Sequence, residues 1–373
     1  MIKKTLQAFA LLTPLTLAHA ESSVSMYGIL DLSVGVEHTG SGVQNTKALD
    51  SGAGYGSRLG FKGVEDLGGG LNANFLMEMG IAADTGTLQQ GGSIFGRQIF
   101  AGLSAPKWSV SAGRQYSPLW VSLLYSDAYA WTYWGNTQGT MMQSVTPTSV
   151  AGDGGFGALS RINNSVLVSG VQGPWTARLM AAAGDEAASS APNSGSGRLV
   201  NGSLTYASGP FGATASLVRF RQYAKDIPAG AMAAWQNAWE VGGQYDFGPV
   251  KLFTGYYHYN PSESNITLRP TTALKTHAYW LGGQIPFGQS KILAQVMSSR
   301  FDRMAGIEKG KATTVGVTYE YALSKRSFLY SSYGQVTNNA TSSLALYGGT
   351  TSISPRVAGD DPRALSFGMR HHF

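Results

Sequence analysis

Cysteine is absent from the 373 residues. Disulfide staples are therefore excluded, and stability is left to the backbone hydrogen-bond ladder. Charge is sparse: Asp, Glu, Lys and Arg together make 13% of the chain, with a formal net charge of +6. A basic balance can mark a nucleic-acid partner, but no Lys/Arg-rich helix or aromatic-basic recognition motif accompanies it, which argues against nucleic acid. Histidines are few and scattered: His38, His258 and His277 stand apart, and the adjacent His371 and His372 fall on opposite faces of an extended segment. That spacing argues against a metal site. The run Gly68-Gly69-Gly70 has no following Gly-Lys-Ser/Thr and reads as a turn, not a phosphate cradle. No cofactor is implied. Beyond the first twenty residues, no stretch approaches the roughly 20 consecutive apolar residues of a membrane-spanning helix. The mean hydropathy of −0.07 is likewise too polar for a helical membrane protein.

What the chain does have is alternation. From residue 21 onward, apolar and polar residues alternate in segments of about ten, as suits a strand with lipid on one side and water on the other. At the end of the chain Leu365, Phe367, Met369, His371 and Phe373 share one face, and Ser366, Gly368, Arg370 and His372 the other. Near the start, Met26, Leu30, Leu32, Val34 and Val36 oppose Ser25, Tyr27, Asp31, Ser33 and Glu37. Further strands are predicted to begin near Gly54, Leu71, Phe95, Trp108, Arg161, Trp175, Leu199, Phe211, Ala238, Val250, His277, Lys291, Thr313, Ser327 and Ala364. The links between them alternate strictly. Short Gly/Pro turns such as 64–70, 207–210 and 247–249 are followed by long polar segments, the longest at 115–160. The fold class is all-β: a sixteen-stranded antiparallel transmembrane β-barrel, short turns at one rim and long external loops at the other. At this strand number the bore stays aqueous instead of filling with side chains.

The first twenty residues differ. Lys3 and Lys4 precede an apolar run from Leu6 to Leu17 and a small-residue site at Ala18-His19-Ala20, so residues 1–20 read as a secretory signal peptide and residues 21–373 as the barrel domain. Removing the leader leaves 25 basic against 21 acidic residues.

Particular stretches resemble the trimeric general porins of the Gram-negative outer membrane, in the neisserial and β-proteobacterial branch. They include Ser23 to Asp31, Ser57-Arg58-Leu59-Gly60-Phe61-Lys62-Gly63 with Glu65 to Gly70, Phe95-Gly96-Arg97-Gln98, Gly113-Arg114-Gln115, Arg161 to Ser165, Leu323 to Arg326 and Gly368 to Phe373. The resemblance implies a homotrimer in outer-membrane lipid and lipopolysaccharide that passes small hydrophilic solutes and ions. It also implies a third external loop, about 115–160, folded inward, and Phe373 as the signal read by the barrel assembly machinery.

Strand phase directs Arg58 and Lys62 inward opposite Leu59 and Phe61, Arg161 and Asn163 opposite Ile162 and Val166, and Arg178 opposite Trp175, Ala177 and Leu179. Arg97 joins this basic wall on resemblance, and Arg114, at a strand end in the apolar phase of Val110 and Ala112, is included with it. These arginines either polarise the bore or merely solvate the wall and brace the loop. Inward acids include Asp31, Glu37, Glu78, Glu240, Asp246 and Glu320, and the loop adds Asp127 and Asp153. An acidic loop facing a basic wall sets a field across the constriction, and the arginine cluster predicts weak to moderate anion preference. The loop is also unusually aromatic, with Trp120, Tyr125, Tyr129, Trp131, Tyr133 and Trp134. These rings either pack it in place or contact flat solutes, making a more selective channel. A barrel enzyme is the rival class, but no nucleophile or carboxylate pair is fixed by spacing. Surface adhesion is compatible with pore activity.

Overall fold

The computed structural model describes residues 23–42, 44–144, 159–184, 197–221, 235–261, 275–302 and 308–373. The predicted signal peptide and Asp153 lie outside them.

Sixteen antiparallel strands close into a barrel. They are β1 (Ser23–His38), β2 in two pieces (Thr46–Ser51 and Arg58–Gly68), β3 (Leu71–Ala82), β4 (Gln98–Ala105), β5 (Trp108–Tyr116), β6 (Arg161–Gln172), β7 (Trp175–Ala182) and β8 (Leu199–Ser208). Then follow β9 (Phe211–Arg221), β10 (Trp235–Asp246), β11 (Lys251–Asn260), β12 (Lys275–Phe287), β13 (Ser290–Asp302), β14 (Gly310–Ala322), β15 (Ser327–Asn338) and β16 (Arg363–His372). Each strand pairs with its sequence neighbours, and β16 returns to β1 over Ile29↔His372 to His38↔Arg363. The sheet closes on itself, as a lipid environment demands of strands. Among the described residues no helix is long and apolar enough to cross a membrane.

The period-two pattern decides which face is which. On β1, Leu30, Leu32, Val34 and Val36 are exposed on the outer wall, while Asp31 and Ser33 are buried inside. On β16, Leu365, Phe367 and Met369 face out and Ser366 and Arg370 in. Beside the short turns the outer wall carries rings: Trp175 against Tyr206 at 4.8 Å, Tyr245 against Phe247 at 4.5 Å, and Phe287 near Tyr319 at 6.4 Å. Aromatic girdles of this kind sit at the membrane–water boundary. The turn at Gly68-Gly69-Gly70 has φ of 83°, 62° and 79°, a left-handed run that only glycine adopts freely.

Two strand starts differ from the prediction: Gly54 falls in a break within β2, and Phe95 falls ahead of β4. The wall breaks over 52–57 because Asp31 Oδ1 and the Tyr330 hydroxyl, on the inner face, both take the Gly54 N–H and bend the backbone inward. β4 begins at Gln98, not Phe95, and the segment before it carries Arg97 to Glu78 at 2.7 Å. One phase also shifts. Asn164 has φ 52°, and the β5–β6 register slips between Gly113 and Gln115. The extra residue on β6 turns Ile162, which simple alternation placed opposite the polar face, into the apolar cluster beneath the inner loop with Leu119 and Leu123.

Candidate functional site

The chain between β5 and β6 enters the bore as helix α1 (Pro118–Ser126) and then α2 (Gln138–Ser144). Ser117 caps α1 by accepting the Trp120 N–H at 3.1 Å, and Pro118 supplies the preset φ of the first turn. Leu119, Ser122, Leu123 and Ser126 are buried on one face of α1 at helical spacing. Trp120 and Leu124 are turned to the bore.

The inner loop is tied round half the barrel. Leu119 N donates to Asn201 of β8 at 2.8 Å, Ser122 Oγ meets Thr214 of β9 at 2.7 Å, and Ser126 Oγ donates to Glu240 of β10 at 2.8 Å. Trp280 Nε1 of β12 donates to Ser126 O at 2.7 Å, and Ala128 N donates to Gln295 of β13 at 3.1 Å. The Tyr133 hydroxyl donates to Glu320 of β14. Trp134 donates N to Ser332 of β15 at 3.1 Å and Nε1 to Ser366 of β16 at 2.8 Å. Glycines on these strands make room: a Cβ at Gly316 or Gly334 would lie within 2.7 Å of Trp134. The loop's backbone thus rests on bare wall.

These contacts redistribute the charge expected from sequence. Glu240 and Glu320, read as inward acids, do face inward and serve as loop anchors. Glu320 also pairs with Arg370 at 3.1 Å, and Asp31 accepts the Tyr330 hydroxyl at 2.8 Å. Asp127 is a correction: it is 1% exposed and accepts Tyr129 N at 2.8 Å, Thr137 N at 3.1 Å and Thr137 Oγ1 at 2.6 Å. Burial raises its carboxyl above the ordinary range, and it stitches α1 to α2 instead of facing a basic wall.

Between the loop and the facing wall, a cavity of about 230 Å³ is lined by Arg58, Arg97, Arg161, Tyr55, Trp120 and Trp131. Arg58 donates Nε to Gly56 O at 2.9 Å and has no ion-pair partner among the described residues. Arg97 pairs with Glu78 at 2.7 Å and donates Nη2 to the Tyr116 hydroxyl at 2.7 Å, and Glu78 also accepts the Tyr27 hydroxyl at 2.9 Å. The Arg161 guanidinium sits 5.1 Å from the centroid of the Tyr116 ring. Among the described residues no carboxylate lines this cavity.

The other basic residues stand elsewhere. Lys62 lies over the Tyr27 ring at 5.6 Å. Arg114 donates to Gly96 O at 2.8 Å and to Asn163 Oδ1 at 2.6 Å. Arg178 is half-buried on β7, in register with Ser203 and Ser169. Phe373 closes the barrel, exchanging backbone hydrogen bonds with Gly28 at 3.0 and 3.1 Å. Sequence phase did not single out Gly349 and Thr350, which reach the cavity from the last external loop; Thr350 N donates to Gly52 O at 2.8 Å. Nor did it assign a role to Arg370, held at 4.0 Å from the Tyr55 ring centroid and 4.2 Å from that of Phe328.

A closed sixteen-stranded barrel with a hydrogen-bonded inner loop that narrows its bore is the architecture of an outer-membrane diffusion channel. The Gram-negative porin profile matches residues 8–341, and the chain belongs to that family. It is 28% identical to outer membrane porin protein 32 of Delftia acidovorans over all of both chains. It is also 28% identical to an outer membrane porin of Bordetella pertussis over 91% of this chain and 95% of that one. Among solved structures, the anion-selective porin from Comamonas acidovorans superposes with a TM-score of 0.78 at 27% identity, covering 95% of this chain and 100% of that chain. The protein is a porin of the outer membrane, crossing it many times as a β-barrel.

Proposed function

We propose that this porin is a passive, non-enzymatic channel for small hydrophilic solutes, with a weak to moderate preference for anions set at the Arg58, Arg97 and Arg161 cavity. One observation carries the reading: three guanidinium groups line a cavity that, among the described residues, no carboxylate lines, with Glu78 bound to Arg97 beside it. The anion selectivity in the name of the Comamonas relative supports it. In planar bilayers, the zero-current potential across a potassium chloride gradient is expected to take the sign of chloride preference. A potassium sign overturns the reading.

We further propose how the chain matures and assembles. Residues 1–20 are a cleaved leader, the working unit is a homotrimer, and Phe373 marks the chain for the barrel assembly machinery. On the outer wall of β4 and β5, Ala101 lies opposite Ala112 and Leu103 opposite Val110, a low-relief apolar surface on which a second barrel can seat closely. Near the long-loop rim, Trp239, His258, His277, Arg300 and Lys311 form one cross-strand row on the outer face, with Asp302 beside it, a surface for lipopolysaccharide phosphates. Native mass spectrometry is expected to show three mature chains carrying phosphorylated lipid, and unassembled chains when Phe373 is deleted. Lipid-free monomers from the intact chain contradict it.

A further inference from the structure

The cavity has a second property besides its charge. Besides the guanidinium groups its lining is apolar and aromatic: Trp120, Trp131, Leu124 and Ile29 line it together with Tyr55. The rings are held in fixed poses. Tyr116 stacks on Trp120 with centroids 3.8 Å apart and planes 8° from parallel, and Trp131 meets Trp120 edge-on at 6.1 Å. Trp131 is further pinned by donating Nε1 to Thr137 Oγ1 at 2.9 Å. That hydroxyl is in turn bound to buried Asp127 at 2.6 Å. Side chains fixed in this way lose little entropy when a solute arrives.

A small inorganic anion uses only half of such a surface. A solute with a carboxylate at one end and a flat apolar body at the other uses both halves, the carboxylate meeting guanidinium and the ring meeting indole. Size narrows the class. At about 230 Å³ the cavity falls below the roughly 300–1,000 Å³ typical of sites for drug-sized ligands, so it suits one ring and not two. Thr132, Gln138, Ser160 and Thr350 on the lining offer hydrogen bonds to ring hydroxyls.

We infer that the constriction is a binding site for single-ring aromatic carboxylates, which pass by stacking at Trp120 and Trp131 while their carboxylate is held by Arg58 and Arg161. The inference rests on the anion preference proposed for this cavity and adds a solute class to it. The loop aromatics then do more than pack the loop in place, the other role open to them from sequence.

The test is single-channel recording with benzoate, cyclohexanecarboxylate, acetate and benzyl alcohol added in turn to a potassium chloride bath. Benzoate is expected to reduce chloride current at roughly three- to tenfold lower concentration than acetate, the worth of one aromatic contact. Cyclohexanecarboxylate is expected between the two, and benzyl alcohol to have little effect. In Trp131→Ala the benzoate-to-acetate ratio is expected to fall toward one, and in Trp131→Phe to be largely kept. Equal action of benzoate and acetate on a chloride-preferring channel overturns this inference and leaves the anion preference standing. A potassium-preferring channel overturns the anion preference itself. If Trp131→Ala fails to fold, the four-solute comparison on the native protein still decides.

Discussion

Replacing Arg58 and Arg161 together by glutamate is expected to turn the channel from chloride-preferring to potassium-preferring. A unit charge about 8 Å from a permeating ion contributes roughly 0.5 kcal/mol in water. Two reversals change the local charge by four units, about 2 kcal/mol before screening. A Debye length of about 8 Å at physiological salt halves this, leaving about 1 kcal/mol on each ion; chloride and potassium shift in opposite senses, so their permeability ratio changes by about 2 kcal/mol, roughly thirtyfold. Since the native preference is itself weak to moderate, a shift of that size carries the ratio through neutrality. Arg97 is the wrong residue for the experiment. It is bound to Glu78 at 2.7 Å, and removing it strands a carboxylate that is 4% exposed, confounding selectivity with folding. The readout is the zero-current potential of the double variant beside the native protein. Unchanged chloride preference would show that the selectivity arises elsewhere in the bore.

Arg370→Met is expected to destabilise the barrel strongly. The guanidinium pairs with Glu320 at 3.1 Å, donates to the Tyr133 hydroxyl at 2.9 Å, and lies between Tyr55 and Phe328. Methionine keeps much of the packing and removes the charge. Breaking a buried pair while leaving its partner costs about 3–5 kcal/mol. The lower end applies, because Lys291 stays 3.4 Å from Glu320 and continues to compensate it. Tyr133 is also a loop anchor, so the inner loop loses part of its hold. A lower midpoint of thermal unfolding and a noisier open-channel current are expected together. Adding Glu320→Gln is expected to restore a good part of the loss, since the orphaned charge disappears with it. A single variant as stable as the native protein would show that the loop is held without this pair.

The wall was legible because its rule is local: one face meets lipid and the other meets water, so the period of two shows in every segment. Leu30, Leu32, Val34 and Val36 declare the outer face of β1 without reference to any other strand. The same rule directed Arg58 and Arg161 toward water. It failed where the backbone leaves the rule. The additional residue at Asn164 puts Ile162 under the loop, and the break over 52–57 depends on Asp31 and on Tyr330, which lies far along the chain. The fate of the acids was illegible for a similar reason. Whether Asp127, Glu240 or Glu320 meets an ion or a hydroxyl depends on where the loop settles, and that is fixed by contacts with β8 to β16 that no local pattern records. Thr350 reaches the cavity from the last loop, and its own segment carries no alternation to announce it.

In the function proposed above, selectivity turns on one asymmetry of the bore: the inner loop consumes the acids of β10 and β14, while guanidinium groups line the cavity between loop and wall. The most direct test is the chloride-to-potassium permeability ratio measured at low and at high ionic strength across gradients of equal proportion. Fixed charge at the constriction is expected to give clear chloride preference near 0.1 M salt, where the Debye length is about 10 Å, fading toward neutrality near 1 M, where it is about 3 Å. A preference for potassium, or a ratio independent of salt, would contradict fixed charge at the arginine cavity as its source.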